Sequence, residues 1–211
     1  MTHKGLFITF EGGEGCGKTT VIRKLEARLK EKGIEVLVTR EPGGSVIAEE
    51  IRNIILDKKN TAMDPRTEAL LYAASRRQHL KEIVIPALEQ DKIVISDRYL
   101  DSSLAYQGYA RGIGIDKVYA INEFAIDETM PDITFFLDLE PEKGLERIAL
   151  HRSDEVNRLD LENISFHHKV YDAYKILMEK YPDRIVRIDA SRSVEEETAE
   201  ILEILLKRIH K

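Results

Sequence analysis

Four glycines, a lysine and two threonines lie within the nine residues Gly12–Thr20, near the start of the chain. The stretch matches the phosphate-binding pattern G-x-x-x-x-G-K-[ST], in which Gly12, Gly17, Lys18 and Thr19 occupy the fixed positions. Glycines let backbone N–H groups approach an anion closely, and the start of a following helix adds unpaired N–H groups. The pattern therefore predicts a site for the phosphates of a nucleoside triphosphate. The alternative is a glycine-rich turn without a ligand, which the complete set of fixed residues disfavours.

Every residue of this loop is a candidate ATP contact: Gly12, Gly13, Glu14, Gly15, Cys16, Gly17, Lys18, Thr19 and Thr20. Lys18 is placed to reach the β- and γ-phosphates, and the Thr19 hydroxyl is a candidate ligand of Mg²⁺. Cys16 could be a reactive thiol because it lies at the start of a helix. We favour the alternative, in which Cys16 is a small side chain that fills a position in the loop.

Charged residues follow two other apolar runs of the chain. Asp97 and Arg98 come directly after the apolar run 93–96. Asp97 has the place of the aspartate that organises Mg²⁺ in phosphate-transferring enzymes, and Arg98 can hold a phosphate through two hydrogen bonds. Arg40 and Glu41 precede a proline and two glycines, which predicts a rigid turn. The alternative for both pairs is an ordinary ion pair at the surface.

A polar stripe lies on one predicted helix. Glu68, Tyr72, Arg76 and His79 are spaced by four, four and three residues, so they share one helix face. Tyr72 offers a flat ring to a nucleobase, and Arg76 offers donors to base carbonyls or to phosphate. Taken alone, this stripe indicates the solvated face of an amphipathic helix.

Ser103 and Gln107 lie one helical turn apart in the segment that follows Arg98. A hydroxyl and a carboxamide at this spacing can together recognise the edge of a base. The alternative is a capped helix start, since Asp101 and Ser102 are suitable N-cap residues.

The elements that position these residues alternate between strand and helix. Continuous apolar runs predict five strands, at 6–10, 35–39, 93–96, 133–138 and 185–188. Helical spacing predicts helices at 18–29, 46–56, 65–90, 101–109, 115–128, 142–150, 161–179 and 193–209. Apolar strands between helices indicate a parallel sheet that is covered on both faces. Ligands bind such sheets at the carboxyl ends of the strands, where the candidate residues lie.

Composition excludes several classes of protein. The chain has 211 residues and a net charge of −6, and no cluster of basic residues suggests nucleic acid as a partner. A single cysteine excludes an internal disulfide and is typical of the cytoplasm. We expect no membrane segment, since no apolar run reaches the required length, and no apolar signal segment at the N-terminus.

Four segments and one short motif together resemble the bacterial thymidylate kinase family, and the resemblance covers nearly the whole chain. They are 10–20, 39–44, 66–76, 97–108 and Asn157-Arg158-Leu159-Asp160. The stretch 97–107 is the most specific, since other nucleoside monophosphate kinases do not combine these residues.

The resemblance implies an α/β fold of the P-loop nucleoside monophosphate kinase type. This is a three-layer fold with a five-stranded parallel sheet, helices on both faces and a short lid. Residues 1–211 would form one P-loop kinase domain, with the lid at about 151–160. The implied reaction transfers the γ-phosphoryl group of ATP to dTMP with Mg²⁺ and gives dTDP. The implied state is a homodimer, with no nucleic acid and no membrane as partners.

The resemblance also implies roles for individual residues. Tyr72 would stack on thymine, where phenylalanine is usual, and Arg76, Ser103 and Gln107 would recognise the thymine edge. Arg52 and Arg98 would hold the phosphate of dTMP. Glu14 would lie near the sugar, and Glu41 near the metal and the acceptor.

The catalytic arginine has two candidates. Some members of the family carry an arginine in the P-loop, whereas this chain carries Glu14 there. By resemblance the lid would supply it, from Arg158 as the first choice or from Arg152. The other implied catalytic residues are Lys18, Asp97 and Arg98.

Two other functions are open. One is a kinase for another nucleotide or for a nucleoside, whose neutral hydroxyl would need Asp97 or Glu41 as a base. The other is a P-loop nucleotide switch that binds a partner protein. A switch would leave Tyr72, Arg76, Ser103 and Gln107 unexplained, and the guanine-binding pattern N-K-x-D is absent from the sequence.

Overall fold

A five-stranded parallel sheet forms the centre of the molecule. The computed structural model describes residues 5–151, 158–159 and 162–209. The strands are β1 (Phe7–Glu11), β2 (Val36–Arg40), β3 (Ile93–Asp97), β4 (Ile133–Asp138) and β5 (Ile185–Asp189). They are all parallel and lie in the order β2-β3-β1-β4-β5. The predicted number, position and direction of the strands are confirmed.

Helices follow the strands in alternation. They are α1 (Lys18–Glu31), α2 (Val46–Leu56), α3 (Pro65–His79), α4 (Ile85–Glu89), α5 (Leu100–Ser103), α6 (Ile115–Ile126), α7 (Pro141–His151), α8 (Ile164–Lys180) and α9 (Val194–Ile209). Two π-helical segments, Leu80–Val84 and Leu104–Ala110, continue α3 and α5. No helix in the described part of the chain is long and apolar enough to cross a membrane.

The two faces of the sheet bury two separate apolar clusters. Phe7 and Val94 are paired in register and belong to one cluster, which the π segments, α6 and α8 complete. Ile8 and Ile95 are the next pair and belong to the other cluster, with residues of α1 and α9. Successive residues of a strand point to opposite faces of the sheet, so strands that are apolar at nearly every position place apolar side chains on both faces. The result is the predicted three-layer arrangement.

The structure corrects two predicted helices. The helix predicted at 65–90 contains the π segment Leu80–Val84, and the helix predicted at 101–109 is largely the π segment Leu104–Ala110. Pro86 accounts for the first difference. Proline has no N–H and its ring clashes with the carbonyl four residues earlier, so the wider turn before it relieves the conflict. The second π segment carries Gln107 into the cleft, and such segments are frequent at functional sites.

Two helix ends also differ from the prediction. The helix predicted to reach residue 128 ends at Ile126, because Asp127 and Glu128 adopt φ angles of 48° and 67°. The helix predicted to begin at 161 begins at Ile164, where the Asn163 side chain accepts a hydrogen bond from the Phe166 N–H at 3.0 Å. Both helix ends are set by local capping, which the spacing of apolar residues cannot predict.

Candidate active site

A large cleft of about 1570 Å³ opens at the carboxyl ends of β1, β2 and β3. The P-loop, the turn after β2, α2, α3 and the second π segment all contribute to its walls. The predicted site residues that line it are Glu14, Gly15, Cys16, Gly17, Lys18, Thr19, Thr20, Glu41, Arg52, Tyr72, Arg76, Asp97, Arg98 and Gln107. Residues that are up to 93 positions apart in sequence therefore meet in one cleft, as the parallel sheet requires.

The Lys18 side chain folds back onto the P-loop. The ammonium group donates to the carbonyl oxygens of Gly12 and Gly13 at 3.2 and 3.0 Å. It also lies 3.4 Å from Cys16 Sγ, and both side chains are buried. A phosphate in the loop would offer Lys18 a stronger, charged acceptor than these carbonyls.

A hydroxyl and a carboxylate converge beside the loop. Thr19 Oγ1 donates to Asp97 Oδ2 at 2.9 Å, although the two residues are 78 positions apart. Hard oxygen ligands of this kind suit Mg²⁺, which keeps several waters and takes phosphate oxygens as further ligands. The described residues contain no cluster of three or more acidic, histidine or cysteine side chains that would form an all-protein metal cage. Thr19 and Asp97 therefore fit a magnesium ion that is shared with a nucleotide.

Glu41 faces other partners. Its carboxylate is almost fully buried and accepts from Arg76 Nε at 2.7 Å, and it lies 3.0 Å from His79 Nδ1. Each of its two oxygens thus already has a cationic or polar partner. This geometry favours Thr19 and Asp97 over Glu41 as direct magnesium ligands.

Arg98 lies on the floor of the cleft. It adopts a φ of 71°, and its guanidinium donates to Glu14 Oε1 at 2.8 Å and to the Gly12 carbonyl at 2.9 Å. Tyr106 donates to the same Glu14 oxygen at 2.8 Å, and Arg98 stacks over the Tyr106 ring. Burial alone would raise the pKa of Glu14, but Arg98 and Lys18 outweigh it and hold that pKa at about 2. An arginine is thus fixed next to the P-loop with its charge balanced.

Arg76 is only 1% exposed, and all three nitrogens of its guanidinium donate hydrogen bonds. Its Nη1 donates to Ser103 Oγ at 3.1 Å and to Asn122 Oδ1, and its Nη2 donates to the Tyr99 carbonyl at 3.0 Å. With Nε on Glu41, these bonds lock the plane of the guanidinium at the cleft wall. Ser103 acts here on Arg76 and does not itself line the cleft.

Tyr72 and Arg52 lie on the wall formed by α2 and α3. Tyr72 is 9% exposed, with its ring in the cleft, and burial raises its pKa above the ordinary range, so the phenol stays neutral. Arg52 Nη1 donates to the Pro42 carbonyl at 2.7 Å, which ties it to the turn after β2. Burial and the nearby Arg40 lower the pKa of Arg52.

The structure places the first-choice lid arginine against α2 and α3. Arg158 is buried, and its Nε donates to the Ile55 carbonyl at 2.9 Å while its Nη2 donates to Glu68. It does not line the cleft in this conformation. Arg152, the second choice, lies outside the described residues, as does most of the predicted lid 151–160.

Three functional residues were not assigned a role from the sequence. Tyr106 holds Glu14, Asn122 accepts from Arg76, and Glu11 accepts from Tyr99 N at 2.8 Å and Ser102 Oγ at 2.5 Å. Burial raises the pKa of Glu11 to about 7. Glu11 and Asn122 could have been found from the sequence, because each is a polar residue among apolar ones. Glu11 ends the apolar strand β1, and Asn122 lies between apolar positions of α6. Tyr106 carries no such signal.

The chain is similar to proteins of one family along nearly its whole length. The family model described as thymidylate kinase matches residues 10–201. The chain is 61% identical over 199 residues to the thymidylate kinase of Clostridium novyi (strain NT), covering 94% of this chain and 97% of that protein. It is 58% identical over 210 residues to the thymidylate kinase of Oceanobacillus iheyensis, covering 98% and 93%. A crystal structure of thymidylate kinase from Ehrlichia chaffeensis matches with a TM-score of 0.76 and 34% identity, over 95% of this chain and 98% of that one.

Proposed function

The chain belongs to the thymidylate kinase family, and from that premise we propose that it transfers the γ-phosphoryl group of ATP to dTMP, giving dTDP. One observation carries the proposal. A P-loop and a pocket with an aromatic ring, a fixed arginine and a carboxamide open into the same cleft. A triphosphate donor and a nucleobase-bearing acceptor can therefore bind side by side, as phosphoryl transfer requires.

The acceptor binds, in this proposal, between the turn after β2 and the second π segment. Tyr72 stacks on the thymine ring, while Arg76 and Gln107 face its edge. Ser103 contributes by holding Arg76 at 3.1 Å. Arg52 and Arg98 hold the acceptor phosphate, and Glu14 lies beside Arg98 where the sugar would approach.

The donor binds to the P-loop, from Gly12 to Thr20. Backbone N–H groups and the start of α1 surround its phosphates, and Lys18 exchanges the loop carbonyls for the β- and γ-phosphates. Thr19 and Asp97 would hold Mg²⁺, and Glu41 lies close to them because its N–H donates to the Asp97 carbonyl at 3.0 Å. When bound, Mg²⁺ neutralises charge on the phosphate oxygens.

The protein performs little covalent chemistry in such a reaction. Phosphoryl transfer needs in-line placement of the two phosphates and stabilisation of charge on the moving group. Lys18 and Arg98 supply fixed positive charge within the cleft. The acceptor is already an anionic phosphate, so no strong general base is needed. We therefore assign Asp97 to the ordering of metal and water, not to proton abstraction.

A lid arginine completes the proposed catalytic set. Arg158 is the first candidate and Arg152 the second. In the described conformation Arg158 is bound to Glu68, so it would have to leave this partner to reach the transferred group.

The remaining features of the proposal concern the whole chain. We propose one P-loop kinase domain over residues 1–211 that acts in the cytoplasm, where a single cysteine needs no disulfide partner. We also propose a homodimer, with no nucleic acid and no membrane as partners. Apolar side chains of α2, α3 and α6 support the dimer, since Ile47, Ile54, Leu70 and Phe124 are 49–90% exposed.

The test is the release of ADP from ATP and Mg²⁺ with a panel of acceptors: dTMP, dUMP, dCMP, AMP, GMP, UMP and thymidine. We expect a clear preference for dTMP. Preference for another acceptor would retain the kinase and remove the assignment of the base pocket. Nucleotide binding without transfer to any acceptor would favour a nucleotide switch.

A further inference from the structure

Glu68 is a buried carboxylate that connects three parts of the chain. It lies on α3, one turn before Tyr72, and is 1% exposed. Its Oε1 accepts from Gln107 Nε2 at 2.8 Å and from Arg111 Nε at 3.3 Å. Its Oε2 accepts from Arg158 and from Arg111 Nη2 at 3.4 Å. The proposed mechanism gives Glu68 no role.

Two arginines keep this carboxylate ionised. Burial alone would raise the pKa of Glu68, but the hydrogen bonds from Gln107 and Arg158 and the charge of Arg111 outweigh it and lower that pKa. An ionised carboxylate only accepts hydrogen bonds. The group that faces Gln107 is therefore an acceptor and never a donor.

This fixes the orientation of the Gln107 carboxamide. The NH₂ end must point to Glu68, because the reversed orientation would place the amide oxygen against the carboxylate oxygen. The carbonyl end is then the one available to the cleft, which Gln107 lines although it is only 1% exposed. On the same wall, Arg76 can only donate. The wall thus presents a donor and an acceptor in a fixed arrangement.

The arrangement matches one type of pyrimidine edge. Thymine and uracil present a carbonyl acceptor next to a ring N–H donor, so both can pair with Arg76 and with the Gln107 carbonyl. Cytosine presents an amino donor next to an unprotonated ring nitrogen, so both contacts would be mismatched. A site whose buried polar groups are left unpaired rejects the wrong ligand strongly.

We propose that Glu68 is a positioning residue that sets acceptor specificity by fixing the Gln107 carboxamide with its carbonyl towards the base. The proposal rests on the proposed function, because it assumes a pyrimidine acceptor in this cleft. In this proposal Glu68 favours thymine and uracil over cytosine, and it takes no part in the transfer of the phosphoryl group.

The test compares kcat/KM for dTMP, dUMP and dCMP in the wild type and in Glu68→Gln. The neutral amide in Glu68→Gln can pair with Gln107 in either orientation, so the carboxamide is free to reverse. We expect the dTMP:dCMP ratio to fall by about tenfold or more, the worth of one hydrogen bond. The dTMP:dUMP ratio should stay within about twofold, because both bases present the same edge.

Glu162→Gln is the matched control. Glu162 is the other carboxylate partner of Arg111, at 2.6 Å from its Nη2, and it makes no hydrogen bond to Gln107 among the described contacts. This variant disturbs the same arginine without touching the carboxamide, so both ratios should stay at the wild-type values.

Three outcomes separate the possibilities. A wild type that transfers nothing to dTMP refutes the proposed function. A wild type that prefers dTMP, with a Glu68→Gln variant that loses activity equally for all three acceptors, refutes the role of Glu68 alone. If Glu68→Gln does not fold, as judged by thermal unfolding, Glu68→Asp replaces it. Asp keeps the negative charge opposite the arginines, but its shorter side chain no longer reaches Gln107. The dTMP:dCMP ratio should therefore fall in Glu68→Asp as well, and an unchanged ratio would refute the proposal.

Discussion

Arg98, Arg76 and Lys18 each have a polar partner within the cleft. Arg98 has Glu14 at 2.8 Å, Arg76 has Glu41 at 2.7 Å, and Lys18 has the loop carbonyls. These contacts hold the side chains in place before a ligand arrives, which lowers the cost of ordering them on binding. Individual roles therefore have to be separated by changing one partner at a time.

The Glu14–Arg98 pair makes stability depend on pH. The pKa of about 2 in the folded state lies below the ordinary value of 4.5, so the pair stabilises the protein fully above pH 4.5 and less as the pH falls towards 2. Relative to wild type, Glu14→Gln should lose stability at pH 7 but lose less at pH 3. We expect the difference in free energy of unfolding between wild type and Glu14→Gln to be smaller at pH 3 than at pH 7 by about 2 kcal/mol.

Urea unfolding of both proteins at pH 7, 5 and 3 measures this difference. Glu50→Gln serves as the control, since Glu50 is exposed on α2. A gap between Glu14→Gln and wild type that stays constant from pH 7 to pH 3 would contradict the prediction.

The role of Arg158 can be tested directly. If it stabilises the transferred group, Arg158→Ala should lower kcat by about 10²–10³-fold through loss of one preorganised charge. Single-turnover kinetics with ATP and dTMP give the rate of the transfer step. An unchanged kcat would move the role to Arg152.

Arg111→Ala is the control for this measurement, because Arg111 also faces Glu68. It removes one positive charge from the same carboxylate and leaves Arg158 in place. We expect its kcat to stay within about tenfold of wild type, which separates charge balance at Glu68 from action on the phosphoryl group.

At the scale of elements, α7 makes an unusually close contact with the P-loop. A Cβ on Gly144 would lie 2.2 Å from the Glu14 carbonyl oxygen, and one on Gly15 would lie 2.0 Å from the Gly144 carbonyl oxygen. Two glycines thus allow backbone to meet backbone. This contact helps to fix the loop that surrounds the phosphates.

Gly144→Ala should therefore separate α7 from the loop. At an exposed helix position, alanine in place of glycine would stabilise by about 1 kcal/mol. Here we expect a loss of about 1–3 kcal/mol from overpacking, with weaker ATP binding. Urea unfolding and ATP titration measure both, with Lys143→Ala as the control for the exposed neighbour. A more stable Gly144→Ala variant would show that the contact relaxes easily.

The strands and their carboxyl ends were predictable, whereas the π segments were not. Strand β3 is an apolar run that ends in Asp97, and both its place and the role of its end follow from hydrophobicity and topology. The segment Leu104–Ala110 has apolar spacing that suits an α-helix equally well, so sequence does not reveal the wider turn. The Glu68–Arg158 contact joins residues 90 positions apart and depends on how α2, α3 and the lid meet. Local patterns contain no information about such a contact.

At the scale of the whole molecule, the net charge of −6 opposes anionic substrates, so attraction has to be local. The cleft supplies it. Among the described residues that line it, the basic ones outnumber the acidic ones, and they are Lys18, Arg23, Arg40, Arg52, Arg76, Arg98 and Arg147. The field is thus concentrated where phosphates bind, while the rest of the surface remains acidic.

The proposed dimer can be tested through one exposed ring. Phe124 is 90% exposed on α6, and α3, which packs against both α2 and α6, carries Leu70 at 56% exposure. Phe124→Glu should convert a dimer into a monomer at micromolar concentration, because it places a charge in an apolar interface. Sedimentation velocity measures the change.

Ile176→Glu is the control, since Ile176 is 39% exposed on α8, outside the proposed interface. It should leave the dimer intact. Dissociation by Ile176→Glu and not by Phe124→Glu would place the interface elsewhere.

The position of Cys16 has a practical consequence. It is the one cysteine of the sequence, it is 1% exposed, and its sulfur faces Lys18 beneath the P-loop. A dye that reacts with thiols should therefore find the native protein almost unlabelled. Cysteines introduced at the exposed positions Glu50 and Lys143, on the two helices that flank the cleft, would then be the labelling sites. The fold thus permits a pair of fluorophores to follow the width of the cleft during turnover without first removing a native residue.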